Sequence, residues 1–351
     1  MSKTLELISN QHLQNLPFVC YRKPKGDTLF AYLSKTDTLH YSNAYEEQGF
    51  LFAPFDDREK AIIFPLKESE IVQEPIQSYS VLVKENDLET SNHSELEHQR
   101  LVKSGVEAIK KGMFNKVVLS RKEISALQGF DFLEVFKKLL NTYDNAFSYV
   151  WYHPKVGMWM GATPERLVSL ENNKFKTMAL AGTQAFMGDV NPHWGEKERQ
   201  EHQYVVDYIV DQIQDPTNGI ILKDFNVSET YTSKAGNLLH LKADIEGEIG
   251  AFNLKELLKT LHPTPAVCGL PKESAKKFIL DNEHYKRSFY TGFLGEINVQ
   301  ESTELFVNLR CAKFYENQVS IYVGGGITRD SDPDQEWIET IRKTQTIKRV
   351  L

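Results

Sequence analysis

The stretch Glu304–Lys343 reads ELFVNLRCAKFYENQVSIYVGGGITRDSDPDQEWIETIRK and combines three patterns on which the predicted fold depends. Alternating residue types on both sides of a polar turn at 316–318 predict a β-hairpin over 304–323. Three glycines, Gly324–Gly326, follow directly. Because glycine has no side chain, this run lets backbone N–H groups approach a ligand closely. Asp334 is then predicted to open a helix.

One face of this helix is charged. At 100° per residue, Glu336, Glu339 and Lys343 lie within about 60° of one another. The apolar residues occupy a different face, which we expect to be buried: Trp337, Ile338 and Ile341. The simplest alternative for Glu339 and Lys343 is an exposed i,i+4 ion pair, worth roughly 0.3 kcal/mol. The glycines and the strand bearing Arg310, which lead into the same helix, favour a binding site instead.

The composition excludes several classes of function. The chain has 351 residues, enough for one large domain or two small ones, with 41% apolar and 25% charged residues, as in soluble globular proteins. A net charge of −7 without long charge blocks argues against nucleic acid or membrane partners. There is no signal-peptide pattern and no apolar run of membrane-spanning length. Cys20, Cys268 and Cys311 are scattered, which favours a reducing cytoplasm and neither zinc nor disulfides.

A second acidic helix is predicted upstream, after a loop over 187–195. The stripe of this helix that carries Val205 and Ile209 also carries Glu198 and Glu201, so two carboxylates extend the inward face. Buried carboxylates are costly unless they are paired or bound to a metal. Oxygen ligands one helical turn apart suit Mg²⁺, so this face favours a magnesium site.

Three further residues are candidates because of where they stand in the chain. Lys116 begins a predicted strand over 116–121, where a lysine is usually an edge or solvent charge. Glu165 follows two predicted strands in the turn GATPERL. Burial there would raise the pKa of its carboxyl and favour the acid form, and the alternative is a solvated loop carboxylate. His262 opens a rigid, proline-rich loop over 262–272, on which it could approach a ligand.

Together these motifs resemble the chorismate-utilising enzymes, and most closely the isochorismate synthases. They occur in family order over residues 94–351: FNKVVLSR, GATPERL, ALAGT, KERQEHQYVV, HPTPAVCGLPK, FYTGFLG, VNLRCA, YVGGGI and DPDQEWIETIRK. Residues 1–93 carry no motif and correspond to the variable, strand-rich N-terminal part of the same domain. The resemblance implies an α+β fold, a single domain of two large antiparallel β-sheets packed face to face with helices on the outside.

The resemblance also implies a role for each motif residue. Lys116 corresponds to the general base that activates water, and Glu165 to the general acid. The metal positions correspond to Glu201 and Glu339 as Mg²⁺ ligands, with Glu198 and Glu336 beside them through water. The substrate-binding positions correspond to Arg310, Lys343, Gly324, Gly182, Thr183, Tyr290, His262 and Ala266.

The implied reaction is a Mg²⁺-dependent isomerisation of chorismate to isochorismate. Lys116 separates the chain from anthranilate synthases, and Ala181 replaces the nucleophilic lysine of aminodeoxychorismate synthases, so no glutaminase subunit is expected. Salicylate synthases share the acid and base but tend to have threonine at Ala266. A salicylate synthase and a non-catalytic, Mg²⁺-dependent chorismate binder remain alternatives. We expect a cytoplasmic monomer or weak homodimer in menaquinone or siderophore biosynthesis.

Overall fold

The computed structural model of the protein describes residues 2–79, 92–220, 222–250 and 252–351. Elements are numbered along the chain, and the α-helices within these ranges are α1 (Lys3–Leu13), α2 (Asn92–Lys110), α3 (Phe132–Thr142), α4 (Glu196–Gln214), α5 (Leu254–Leu261), α6 (Lys272–Asn282) and α7 (Pro333–Lys348). Among the described residues, no helix is both long and apolar enough to cross a membrane.

The strands of these ranges form two antiparallel sheets, A and B. In sheet A the strands run in the order β15 (Gly269–Leu270), β7 (Lys116–Ala126), β19 (Gln318–Ile327), β18 (Cys311–Phe314), β9 (Gly157–Thr163), β8 (Phe147–His153), β1 (Phe18–Arg22), β2 (Thr28–Ser34) and β6 (Ser69–Pro75). In sheet B they run in the order β12 (Leu222–Val227), β14 (Leu238–Ile249), β11 (Lys174–Ala185), β10 (Arg166–Glu171), β17 (Ser302–Val307), β16 (Phe293–Val299), β4 (Gly49–Ala53), β5 (Ala61–Pro65) and β3 (His40–Ser42), and β13 (Tyr231–Ala235) pairs with β14.

Aromatic side chains fill the space between the two sheets. The ring of Phe52 on β4 lies 4.2 Å from that of Phe289 and 5.2 Å from that of Trp151 on β8, between ring centroids. On their outer faces, α1 and α3 pack against sheet A, and α4 and α5 pack against sheet B. The fold is therefore α+β, with two antiparallel sheets face to face and helices outside, which confirms the predicted class.

Four of the six N-terminal strands, β1, β2, β4 and β5, are internal members of the two sheets. In sheet A, β1 lies between β2 and β8, and in sheet B, β4 lies between β5 and β16. The expected boundary after residue 93 falls within the first turn of α2, which begins at Asn92. Residues from the first quarter of the chain therefore complete the sheets that carry the rest of the fold.

The hairpin predicted over 304–323 is wrong in its first arm. This arm is two strands in different sheets, because β17 ends at Val307 in sheet B and β18 begins at Cys311 in sheet A. Only β18 and β19 pair as a hairpin. Asn308 fixes the crossing, since its side chain accepts from Tyr149 Oη at 2.7 Å and donates to Phe289 O at 2.9 Å. The alternating polar residues of this arm are therefore positions with buried hydrogen-bond partners, and they do not mark a solvent-exposed face of a hairpin.

The burial predicted for the last helix is confirmed for Trp337, which is 8% exposed, but is wrong for Ile338. Ile338 is 38% exposed, whereas Glu336 and Thr340 are 1% and 0% exposed. The helix begins at Pro333, with Asp332 rather than Asp334 as its N-cap. The polar side of α7 faces inward because it packs over Gly324–Gly326, where β19 has no side chains.

Replacing Phe52 by alanine should lower the free energy of unfolding by about 3–5 kcal/mol, since it opens a cavity between the sheets. Equilibrium urea denaturation measures this loss. Leu13→Ala is the matched control, because Leu13 is 77% exposed. Its effect should stay within about 0.5 kcal/mol. Equal losses in both variants would contradict the assigned core.

Candidate active site

A cleft of about 660 Å³, part of which is open to solvent, lies where the two sheets meet α4 and α7. Strands of both sheets supply its walls, with Val118 and Tyr322 from sheet A and Leu180 and His240 from sheet B. Many of the residues predicted from the sequence line this cleft: Glu165, Gly182, Thr183, Glu201, Ala266, Tyr290, Arg310, Gly324 and Lys343. The structure therefore brings together residues that lie far apart in the chain.

Glycines at the end of β19 let carboxylates from two helices approach the backbone. A Cβ on Gly326 would overlap Glu201 Oε1 of α4. A Cβ on Gly325 would lie 3.1 Å from Glu336 Oε2 and 3.4 Å from Glu339 Oε1 of α7. The glycines thus leave room for acidic side chains, in addition to exposing backbone N–H groups as predicted.

Each of these three carboxylates is paired with a lysine. The pairs are Lys116 Nζ to Glu201 Oε1 at 3.0 Å, Lys343 Nζ to Glu339 Oε1 at 2.6 Å, and Lys197 Nζ to Glu336 Oε1 at 2.7 Å. Lys116 is fully buried on β7, which lies between β15 and β19, so it is not an edge charge. Lys197 was not predicted, because its position at the start of α4 matches an ordinary solvated helix end.

Burial and neighbouring lysines act in opposite directions on these carboxylates. Burial alone would raise the pKa of Glu201, but the Lys116 ammonium and two further lysines hold it below its usual value. The pKa of Glu336 is raised, first by burial and then by the Glu339 carboxylate, while Lys197 opposes the rise. Glu336 Oε2 has no hydrogen-bond partner among the described residues.

The donor set at this end of the cleft fits an oxygen-ligated cation. Glu336 Oε2 is buried and unpartnered within the described chain, and it flanks Gly325 together with Glu339 Oε1. No three acidic, histidine or cysteine side chains of the described residues are already arranged as a metal site. Lysines hold the carboxylates instead, and Glu198 Oε2 turns back toward Gly195 before α4. A cation would therefore compete with these lysines.

Arg310 is held by a residue that the sequence reasoning missed. Arg310 Nη2 donates to His240 Nε2 at 3.2 Å, and His240 Nδ1 in turn donates to Gly182 O at 2.9 Å. Burial, and then the Arg310 charge, lowers the pKa of His240 to about 3, so the ring is neutral. A lone histidine in the apolar run Leu238–Leu241 was the available signal. Such a pattern more commonly indicates a buried core histidine that is hydrogen-bonded to the backbone.

Glu165 is fixed at the end of β9 by its own backbone. Its N–H donates to Thr163 Oγ1 at 3.3 Å, and its carbonyl accepts from the Val307 N–H at 2.9 Å. Burial raises the pKa of the Glu165 carboxyl to about 8, although Lys116 and Arg310 oppose the rise. The carboxyl is therefore largely protonated at neutral pH, the state that a general acid needs.

The structure does not bring His262 into the cleft. His262 Nε2 is hydrogen-bonded to Thr291 O at 2.8 Å, and its ring meets that of Phe293 edge-on. Burial lowers the pKa of His262 to about 4. The proline-rich loop reaches the cleft through Ala266 and Val267 instead. The imidazole of His262 joins two segments of the fold, and its contact with a ligand stays a prediction.

Comparison with known proteins gives a consistent set of relatives. A family model described as "Chorismate binding enzyme" matches residues 56–351. Isochorismate synthase MenF of Escherichia coli (strain K12) is 30% identical over 263 residues, covering 72% of this chain and 59% of that protein. Anthranilate synthase component 1 of Aquifex aeolicus (strain VF5) is 27% identical over 292 residues, covering 78% of this chain and 56% of that protein. The chain thus spans somewhat more than half the length of these curated relatives.

A solved structure supports the same fold. The structure of MenF, the menaquinone-specific isochorismate synthase from Escherichia coli, matches with a TM-score of 0.81 at 22% sequence identity. The match covers 100% of this chain and 91% of that chain. The N-terminal strands are therefore part of the shared architecture, as well as the segment that carries the motifs.

Glu165→Gln should stabilise the protein increasingly as the pH rises. The folded protein keeps the Glu165 proton up to about pH 8, whereas the unfolded chain loses it near 4.5, so the free energy of unfolding falls across this window. The slope is about 1.4 kcal/mol per pH unit at most. Urea denaturation of both proteins at pH 4.5, 6 and 8 should give a difference that grows from near zero. A constant difference would show that Glu165 is ionised in the folded state.

Proposed function

The chain belongs to the chorismate-binding enzymes, and we propose that within this family it is an isochorismate synthase. The proposed reaction adds water at C2 of chorismate, moves the ring double bonds and releases the C4 hydroxyl as water. One observation carries the proposal: Glu165, protonated by burial, lines the cleft with Arg310 and Glu201, and the fully buried Lys116 is ion-paired with Glu201. Such a pairing of acid and potential base suits a reaction that needs a proton removed on one side and supplied on the other.

Charge in the cleft supports a dianionic substrate. The protein carries a net charge of −7, so it must bind chorismate against its own overall field. Arg310, oriented by His240, offers a planar two-point contact to a carboxylate. Lys343 Nζ donates to Gly324 O at 2.9 Å, and this hydrogen bond holds a second positively charged side chain at the same wall of the cleft. We assign these two side chains to the substrate carboxylates.

The proposed proton transfers use one residue on each side of the substrate. Lys116 Nζ accepts a proton from the water that forms the new C2–O bond. Glu165 donates its proton to the C4 oxygen as the C4–O bond breaks, so a second water leaves. Lys116 can act only as the neutral amine, and its Nζ lies 3.0 Å from Glu201 Oε1, where the carboxylate engages it. A partner that engages Glu201 is therefore required for the base to work.

We propose Mg²⁺ as that partner. Glu201 and Glu339 would bind it directly, with Glu198 and Glu336 acting through water. The bound ion would neutralise the ring carboxylate of the substrate. Glu201 and Glu339 are suited to this task because both approach the side-chain-free end of β19 from opposite helices. Each now pairs with a lysine, so metal binding would free Lys116 and Lys343 for the substrate and for water.

Salicylate synthase is the second candidate within the family. Ala266, which lines the cleft, is the residue that favours isochorismate as the end product. A non-catalytic binder would need neither the protonated Glu165 nor the buried Lys116. Ala181 also lines the cleft in place of a nucleophilic lysine, so no glutaminase subunit is proposed. The product would feed menaquinone or siderophore biosynthesis, from a monomer or weak homodimer.

Incubation of the protein with chorismate and Mg²⁺ should yield isochorismate, resolved from chorismate by liquid chromatography. EDTA should abolish turnover, and added Mg²⁺ should restore it, because Glu201 otherwise stays paired with Lys116. Salicylate together with pyruvate would favour the second candidate. Binding of chorismate without any product would favour the non-catalytic reading, and full activity in EDTA would exclude the magnesium role.

Lys116→Met and Glu165→Gln should each lower kcat by about 10² to 10⁴, the usual contribution of a positioned acid or base. A catalyst cannot move the equilibrium, so kcat/KM should fall by the same factor in the forward and the reverse reaction. Measurement of kcat and kcat/KM in both directions tests this, with circular dichroism as the folding control. Lys176→Met removes a lysine whose side chain is 46% exposed and should leave kcat unchanged. Near-native turnover in Lys116→Met would show that the base lies elsewhere.

A further inference from the structure

A buried ion triad joins β7 to the end of α7. Arg121 Nη1 lies 2.8 Å from Glu123 Oε2, and Lys348 Nζ lies 2.5 Å from Glu123 Oε1. The three side chains are between 2% and 7% exposed, so the triad is well shielded from water. Glu123 therefore ties an arginine of its own strand to a lysine near the last turn of the helix.

Arg121 also reaches the middle of α7. Its Nε donates to Thr340 Oγ1 at 2.9 Å, and its guanidinium carbon lies 4.3 Å from the centroid of the Trp337 ring. Trp337 directly follows Glu336 in the sequence, and Thr340 directly follows Glu339. Both contacts therefore act one residue away from the carboxylates that face the cleft. A small rotation of the helix at this point would move both carboxylates together.

β19, the strand beneath α7, cannot fix the rotation of the helix through side-chain contacts. β19 passes under α7 with Gly324–Gly326, which have no side chains to interlock with the helix. Arg121 pairs across the sheet with Val323, the residue before these glycines. Its side chain is thus placed beside the gap that the glycines leave. β19 thus leaves room for the carboxylates, and the neighbouring strand β7, which carries Arg121, restrains the helix.

We propose that Arg121 is a positioning residue for Mg²⁺, setting the rotation and height of α7 so that Glu336 and Glu339 converge over Gly325. This inference rests on the proposed magnesium site. Residues that hold metal ligands in place from behind typically change metal affinity by 10–100-fold when they are replaced. A role limited to stability would instead shift the unfolding midpoint and leave the affinity for Mg²⁺ unchanged.

The decisive variant is Arg121→Lys. Lysine keeps a positive charge beside Glu123, but it lacks the planar group that lies over Trp337, and its single nitrogen cannot take the places of both Nη1 at Glu123 and Nε at Thr340. Isothermal titration of the full-length protein with MgCl₂, in the absence and presence of chorismate, should show the Kd for Mg²⁺ raised by about tenfold or more. Thr340→Val removes the hydrogen bond from Arg121 Nε to Thr340 Oγ1 at nearly constant side-chain volume. This variant should also weaken Mg²⁺ binding, by a smaller factor.

Arg287→Lys is the matched control. Arg287 is also a buried arginine in an ion pair, with Glu283 at 2.6 Å, and it donates to Val118 O and Val267 O rather than to α7. This variant should bind Mg²⁺ within about twofold of the unaltered protein. Urea denaturation of every variant separates stability from affinity, and circular dichroism confirms that each is folded.

The outcomes separate this inference from the proposed function. Weaker Mg²⁺ binding in Arg121→Lys and Thr340→Val, with the control unchanged, supports the positioning role. Unchanged Mg²⁺ affinity in both variants overturns it while leaving the metal site intact. Equal weakening in Arg287→Lys also overturns it, because the effect would then be general. If the unaltered protein takes up no Mg²⁺, with or without chorismate, the magnesium proposal fails and this inference fails with it.

Discussion

The constraint on which the site depends is the convergence of three carboxylates, one buried and two partly buried, on a backbone without side chains. Gly325 and Gly326 allow Glu201, Glu336 and Glu339 to approach from two helices, which places like charges close together in a region of low polarity. Such an arrangement is costly unless each charge is compensated. Three lysines provide that compensation within the protein. The acidic end of the cleft is thus a set of exchangeable ion pairs, and a divalent cation could replace the lysines.

The two sheets supply the remaining groups from opposite sides. Lys116 comes from the first position of β7 in sheet A, and Glu165 from the junction where β9 of sheet A leads into β10 of sheet B. Arg310 lies at another crossing between the sheets, with a positive φ of 49° between β17 and β18. At both crossings the polar groups are held by other elements, as Asn308 is by Tyr149 and Phe289. The fold uses these segments for the residues assigned to chemistry and binding.

Sequence reasoning was most successful where a single element contains the signal. The inward position of Glu201 follows from the same helical stripe as Val205, and that of Glu165 from its apolar neighbours. It failed where a residue's partner comes from another element. Ile338 is exposed because glycines of β19 select the polar side of α7, and His262 is buried because it bonds to Thr291 O. His240 was missed for the same reason, since its task is visible only beside Arg310.

The place of the N-terminal strands has a consequence for how the chain acquires its structure. β1 pairs with β8, and β4 pairs with β16, so early residues such as Phe52 wait for partners such as Leu294 before their hydrogen bonds can form. Pairings between residues so distant in the chain carry a large loop-closure cost and slow folding. During synthesis, apolar strands therefore leave the ribosome long before the helix that bears Glu339. The proposed site is completed only after the residues of α7 have emerged, so chains that stop before this helix lack part of it.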